Sequence, residues 1–258
     1  MKYLLILLLA VSAFAESIIS PITTKFSEAN KYFGAAVKSS LLSTDTNYRN
    51  CLKDVAIITP EFEFKWIKIE PNRGTYDFVA TDTIVNFCRN NNILLRGHSI
   101  MSSDEVLPLW LRDTSLSRDT IVNCFRRFVT DIVTRYRGRV YAWDIVNEAL
   151  GGDGKIRTSV AQKAMGDSYV DSLYIWAAKA DPQLKLFYND DYFNCNESWQ
   201  KKKLKETIPL LLGLKQRGVK IDGWGLEMHL NTSNEFNYNM YKTYILSLIH
   251  ISEPTRPY

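Results

Sequence analysis

Six short runs of apolar and β-branched residues, each followed by a longer amphipathic stretch, constrain this chain more than any other feature. They are Tyr32–Val37, Val55–Thr59, Ile93–His98, Val140–Val146, Leu184–Tyr188 and Gly223–His229. Each is apolar enough to be covered on both faces, as strands of a parallel sheet flanked by helices must be. Between them, Ile121, Val122, Phe125, Phe128, Val129, Ile132 and Val133 recur at helical spacing behind two candidate N-caps, Ser117 and Asp119. A second helix is expected through Val160, Ala164, Leu173 and Trp176, stopping before Pro182, and a third over about Trp199 to Arg217 with Gly218 as its C-terminal cap. No Pro-, Gly- or Ser-rich linker interrupts the pattern, so one α/β domain is expected. Repeated βα units fit either an open doubly wound sheet or a (β/α)8 barrel, and periodicity does not choose between them.

Both ends of the chain read differently. Lys2, the apolar run Tyr3 to Ala10 and the small residues up to Ala15 have the order of a secretory signal over residues 1–15. The run is shorter than the roughly 20 residues of a membrane-spanning helix, so an exported chain with no membrane partner is expected. Export permits disulfides among Cys51, Cys88, Cys124 and Cys195, and four cysteines allow three pairings. Residues 246–258 resemble the translation of a sequencing adapter. On that resemblance the native frame ends near Ile245, residues 16–245 are the domain, and 246–258 are a non-native tail.

The composition, 46% hydrophobic and 23% charged, is globular, and a net charge of +4 without a basic run gives a nucleic-acid backbone nothing to follow. The chemistry therefore has to come from the strand ends. In parallel α/β folds the carboxyl ends of the strands form the active face. Here they run into Thr59-Pro60-Glu61-Phe62-Glu63-Phe64-Lys65-Trp66, Arg96-Gly97-His98, Asn147-Glu148, Asn189-Asp190 and Glu227-Met228-His229. No Gly-rich phosphate loop, H-E-x-x-H zinc pattern or G-x-S-x-G elbow occurs, which removes support for nucleotide, zinc-protease and serine-hydrolase chemistry. Glycoside hydrolysis needs one carboxyl group kept protonated and a second acting as nucleophile or base. Glu148 is the acid candidate, delivered to the rim by the apolar strand Trp143-Asp144-Ile145-Val146-Asn147.

Those residues also carry a resemblance. From Phe33-Gly34-Ala35-Ala36-Val37 to His229 the chain resembles the family 10 glycoside hydrolases, the endo-1,4-β-xylanases. The matching pieces are Thr59-Pro60-Glu61 with Lys65-Trp66, Glu70-Pro71 with Gly74, Arg96-Gly97-His98, Trp143-Asp144 with Val146-Asn147-Glu148-Ala149, Tyr188-Asn189-Asp190, and Ile221-Asp222-Gly223 with Gly225-Leu226 and His229. The resemblance implies a (β/α)8 barrel, a retaining mechanism acting on xylan or xylo-oligosaccharides, no metal or organic cofactor, and a secreted monomer. It puts the acid/base on Glu148, a sugar 2-hydroxyl contact on Asn147, sugar contacts on Glu61 and Lys65, and the cleavage subsite on His98. His229 matches a histidine that hydrogen-bonds toward the nucleophile.

The chain departs from that pattern in several places. Phe62 stands where the family has Asn, Ser102 where it has Trp, and Glu227 where it has Gln, while Asp191 is additional. The family nucleophile, a Glu ending strand seven in a T-E-x-D motif, would fall within the adapter-like segment, and neither Glu235 nor Glu253 has that context. The expectation is thus about six of eight βα units, two unpaired sheet edges, and a polypeptide inactive on xylan by itself. A catalytically weak carbohydrate-binding relative and a related β-glycanase acting on cellulose or mannan are the alternatives.

Overall fold

The computed structural model describes residues 21–191 and 197–227, with 229, 237–240, 242–243 and 246 beyond them. The expected signal sequence, Cys195, Glu235, Glu253 and all of the adapter-like segment except Leu246 lie outside the described residues. After a first helix α1 (Pro21–Glu28), the chain lays down β1 (Gly34–Val37), α2 (Ser39–Thr44), α3 (Thr46–Leu52), β2 (Ile57–Pro60), α4 (Trp66–Ile69) and α5 (Val79–Asn90). It continues through β3 (Leu94–Met101), α6 (Arg118–Arg135), β4 (Ala142–Asn147), α7 (Val160–Met165), α8 (Tyr169–Ala180), β5 (Lys185–Asp191), α9 (Ser198–Gln216) and β6 (Gly223–Glu227).

All six strands are parallel and stand in the order β1-β2-β3-β4-β5-β6. A doubly wound sheet must reverse direction at a switch point, whereas a barrel adds every strand on the same side of the last. The order therefore decides between the two architectures left open by periodicity, and the strands form an incomplete (β/α)8 barrel. Among the described residues, the outer edges of β1 and β6 pair with no further strand.

β4 sits mid-sheet with every residue buried, as a strand covered on both faces should be. Its Trp143 indole packs edge-on to Phe64, with ring centroids 5.4 Å apart, and near Tyr136. Outside the sheet, α6 turns Cys124, Phe125, Phe128, Val129, Ile132 and Val133 inward, and Phe128 stacks on Trp66 at 4.1 Å with the rings 9° apart. Each such fully buried side chain contributes about 1.5–3 kcal/mol relative to exposure. Of the two candidate caps, Ser117 is the one used, its hydroxyl accepting from Thr120 N at 3.2 Å.

Three sequence expectations are corrected. The helix expected through Val160 to Trp176 is two, because Gly166 adopts φ +67, a conformation that ends α7. β3 and β5 run further than expected, carrying Ser99 to Met101 and Asn189 to Asp191 as strand. Cys51, Cys88 and Cys124 are free thiols, so no disulfide joins them. Among the described residues no helix is long and apolar enough to cross a membrane, and no cluster of three or more His, Cys, Asp or Glu could hold a metal.

Candidate active site

Because the strands are parallel and in sequential order, the polar residues that end β2 to β6 come to one rim. Glu148 follows the last residue of β4 with φ +52, a left-handed conformation that costs a non-glycine residue about 1–3 kcal/mol. Two features hold it there. Its N–H donates to Asn189 O at 2.9 Å, and the fully buried β4 leaves the preceding backbone no freedom. The side chain borders a cavity of about 170 Å³ lined by Ser102, Asp104, Asn147, Arg157 and Tyr169 among others. A larger cavity, about 600 Å³, opens on the opposite end of the sheet around Leu94, Tyr141 and Lys185. It holds none of the candidate catalytic or sugar-binding residues, and the carboxyl-end rim is where barrel chemistry gathers, so the smaller cavity is the candidate site.

A continuous hydrogen-bond chain runs along the rim. Asn147 Nδ2 donates to Ser102 Oγ at 3.1 Å and to Glu148 Oε1 at 3.3 Å. Asn189 Nδ2 donates to Asn147 Oδ1 at 2.7 Å and to Glu227 Oε1 at 2.6 Å. Glu227 Oε2 in turn lies 3.0 Å from His229 Nε2. Gly225 is what allows this hub to form: a Cβ there would collide with Asn189 Oδ1 and Arg96 Nη2.

Below the hub lies a charge cluster. Arg96 grips Asp144 with Nη2 at 2.6 Å from Oδ1 and Nε at 3.1 Å from both oxygens, and also donates to Asn189 Oδ1 at 3.2 Å. His98 Nδ1 lies 2.9 Å from Asp144 Oδ2. A carboxylate only accepts, so Nδ1 carries the proton and a neutral His98 keeps its lone pair on Nε2. Lys65 is 7% exposed and donates to Ser99 Oγ at 3.3 Å. Burial lowers its pKa, while the negative charges of Glu227, Asp144 and Glu148 pull it back up.

The structure thus gathers Lys65, His98, Asn147, Glu148, Glu227 and His229 at one rim. Glu61 stands apart, paired with Lys38 at 3.3 Å and joined to the Glu148 network by no hydrogen bond among the described residues. His229 lies past the end of β6 and is largely exposed, so the strand does not extend to it as expected. Four members were not singled out as site residues. Asn189 and Asp144 already stood inside quoted motifs, and alternation along β4 and β5 could have flagged them as polar residues in buried strands. Arg96 stood beside His98. Arg157 lies in a loop, and its place depends on turns that no periodicity records.

Comparison with known proteins identifies the family. The model of the Glycosyl hydrolase family 10 matches residues 22–253, and so reaches into the segment set apart as adapter-like. Endo-1,4-beta-xylanase B of Thermotoga neapolitana is 31% identical over 242 residues, covering 93% of this chain and 68% of that protein. Endo-1,4-beta-xylanase D of Talaromyces funiculosus is 36% identical over 200 residues, covering 77% of this chain and 48% of that protein. Among solved structures, native xylanase 10B from Thermotoga maritima superposes with a TM-score of 0.82 at 28% identity, over 90% of this chain and 71% of its own. Xylanase 10B from Thermotoga petrophila RKU-1, in complex with xylobiose, gives 0.81 at 28% identity, over 87% of this chain and 68% of its own. The chain spans about half the length of the fungal relative and about two thirds of the Thermotoga ones. Fold and family match together define a barrel of the glycoside hydrolase class. Within that class, the chain belongs to glycosyl hydrolase family 10.

Proposed function

We propose that the complete protein is a secreted, monomeric, retaining endo-1,4-β-xylanase that cleaves internal β-1,4 bonds of xylan with Glu148 as general acid/base. The observation that carries this reading is the placement of Glu148: a strained residue at the end of a fully buried strand, beside a cavity, with Asn147 donating to its carboxylate. Glu148 gives its proton to the departing xylosyl oxygen while a second carboxylate attacks the anomeric carbon. It then takes a proton from the water that releases the glycosyl-enzyme. As the family resemblance implies, the nucleophile is assigned to a Glu ending the strand that follows β6 in the complete barrel. Asn147, His98, Lys65, Glu61, Glu227 and His229 are assigned to sugar binding, with no metal or cofactor.

The test is digestion of xylan, cellulose and mannan by the complete protein, with proton NMR of the first products. Hydrolysis of xylan with the β-anomer formed first is expected. No xylan hydrolysis, or the α-anomer formed first, would overturn the reading.

A further inference from the structure

The nine residues that follow Asn147 fold back on themselves. Gly151 N donates to Lys155 O at 2.8 Å, Gly154 N to Gly151 O at 2.9 Å, and Arg157 N to Ala149 O at 2.7 Å, with Leu150 and Ile156 forming an antiparallel bridge. The turn needs Gly154, which sits at φ +75 and whose Cβ would press on Glu206 of α9 at 2.7 Å. This hairpin returns Arg157 to the residue from which the loop set out. Its Nε donates to Leu150 O at 2.9 Å, fixing the guanidinium, and Nη1 then stands 3.5 Å from Glu148 Oε2. Asn147 meets the other carboxylate oxygen, so the two oxygens of Glu148 have different, fixed partners.

We propose that Arg157 is a positioning residue for Glu148, holding its carboxylate in one orientation across the cavity and stabilising it whenever it is without its proton. The proposal rests on the acid/base reading of Glu148. A group that gives a proton and takes one back in each cycle spends part of that cycle as an anion, and a cation fixed by its own backbone bond favours that form. The other charged or titratable groups around Glu148 are Lys65 at the N-terminus of α4, Asp104 and Glu105 in the turn after β3, Tyr169 on α8, and Glu227 through the amide chain. Asp104 is committed to capping α7 through Val160 N at 3.0 Å. Arg157 is thus the cation whose guanidinium pairs directly with Glu148 among the described residues.

The experiment compares Arg157→Ala and Arg157→Lys in the complete protein by the pH profile of kcat/KM. Glu148 is followed in parallel by carbon-13 carboxyl NMR, its signal identified by its disappearance in Glu148→Gln. Removing the cation shifts the basic limb and the NMR midpoint upward by about 0.5 to 1 pH unit, and Lys restores at least half of that shift. An unmoved midpoint in Arg157→Ala, with circular dichroism showing it folded, overturns the proposal, as does a shift that Lys does not reduce. If Arg157→Ala does not fold, Arg157→Lys in 0.5 M salt, at about half the usual Debye length or less, must shift in the same direction, and a fixed midpoint there overturns it too. A midpoint that moves in a protein whose turnover ignores Glu148→Gln leaves the ion pair standing and sinks the acid/base reading instead.

Discussion

Nδ2 of Asn189 lies 2.7 Å from Oδ1 of Asn147, and that single contact decides which way the Asn147 amide faces. With its oxygen taken by a donor from β5, Asn147 turns its own N–H2 toward Ser102 and Glu148. Asn189 thus acts on the candidate acid through a neighbour, and β5 and β4 reach the chemistry as one unit. Substituting Asn189→Ala leaves a buried acceptor on Asn147 and a half-buried one on Glu227 without this donor. Loss of such a bond costs about 1–3 kcal/mol, or roughly fivefold to 160-fold in kcat/KM. Steady-state kinetics on xylo-oligosaccharides in the complete protein would show it, and an unchanged kcat/KM would remove Asn189 from the account.

Phe128 makes a prediction about the scaffold. Its ring is completely buried on α6 and lies flat against Trp66 at 4.1 Å, so truncation leaves a cavity where two layers meet. Phe128→Ala is expected to destabilise the chain by about 3–5 kcal/mol, read from urea unfolding. A loss below about 1 kcal/mol would mean that the layers can collapse around the gap, contrary to this packing.

A third prediction concerns pH. Burial pushes the Asp190 carboxyl up to about 7, against the opposing pull of Lys203 and the Tyr188 hydroxyl. The folded chain therefore keeps a proton that the unfolded chain, with an ordinary value of 3.8, has released. The associated stability is complete below the unfolded value and is lost as pH rises through the folded one, at no more than about 1.4 kcal/mol per unit for one proton. The stability of the wild type relative to Asp190→Asn should accordingly fall between about pH 4 and pH 7 and then level off. A difference that stays flat, or rises, across that window would contradict the assignment.

Sequence periodicity located all six strands because each is an apolar run, and parallel strands buried on both faces leave that signature even where, as in β4, polar Asp144 and Asn147 interrupt it. The motif residues at the strand ends were legible for the same reason: a buried strand has to stop, and Glu148 stands where β4 stops. What periodicity missed lies in turns and in side-chain reach. Gly166 breaks one expected helix into α7 and α8 through a backbone angle, β5 continues through Asn189, Asp190 and Asp191 because β6 supplies the ladder, and β3 continues past an irregularity in its register with β4 between His98 and Met101. Arg157 was hidden because a hairpin, rather than a helix or strand, brings it to Glu148. The order of strands, which separates a barrel from a doubly wound sheet, is a long-range property that no local pattern encodes.

In the proposed reaction Glu148 moves the proton. Its most direct test is kcat/KM of the complete protein and its Glu148→Ala variant, on xylan and on an aryl xylobioside whose phenolate leaves without protonation. A general acid contributes about 10²–10⁴-fold where the leaving group needs a proton. The variant is therefore expected to lose that factor on xylan and to retain near-normal formation of the glycosyl-enzyme from the activated xylobioside. Equal release of reducing sugar from xylan by both proteins would contradict the account.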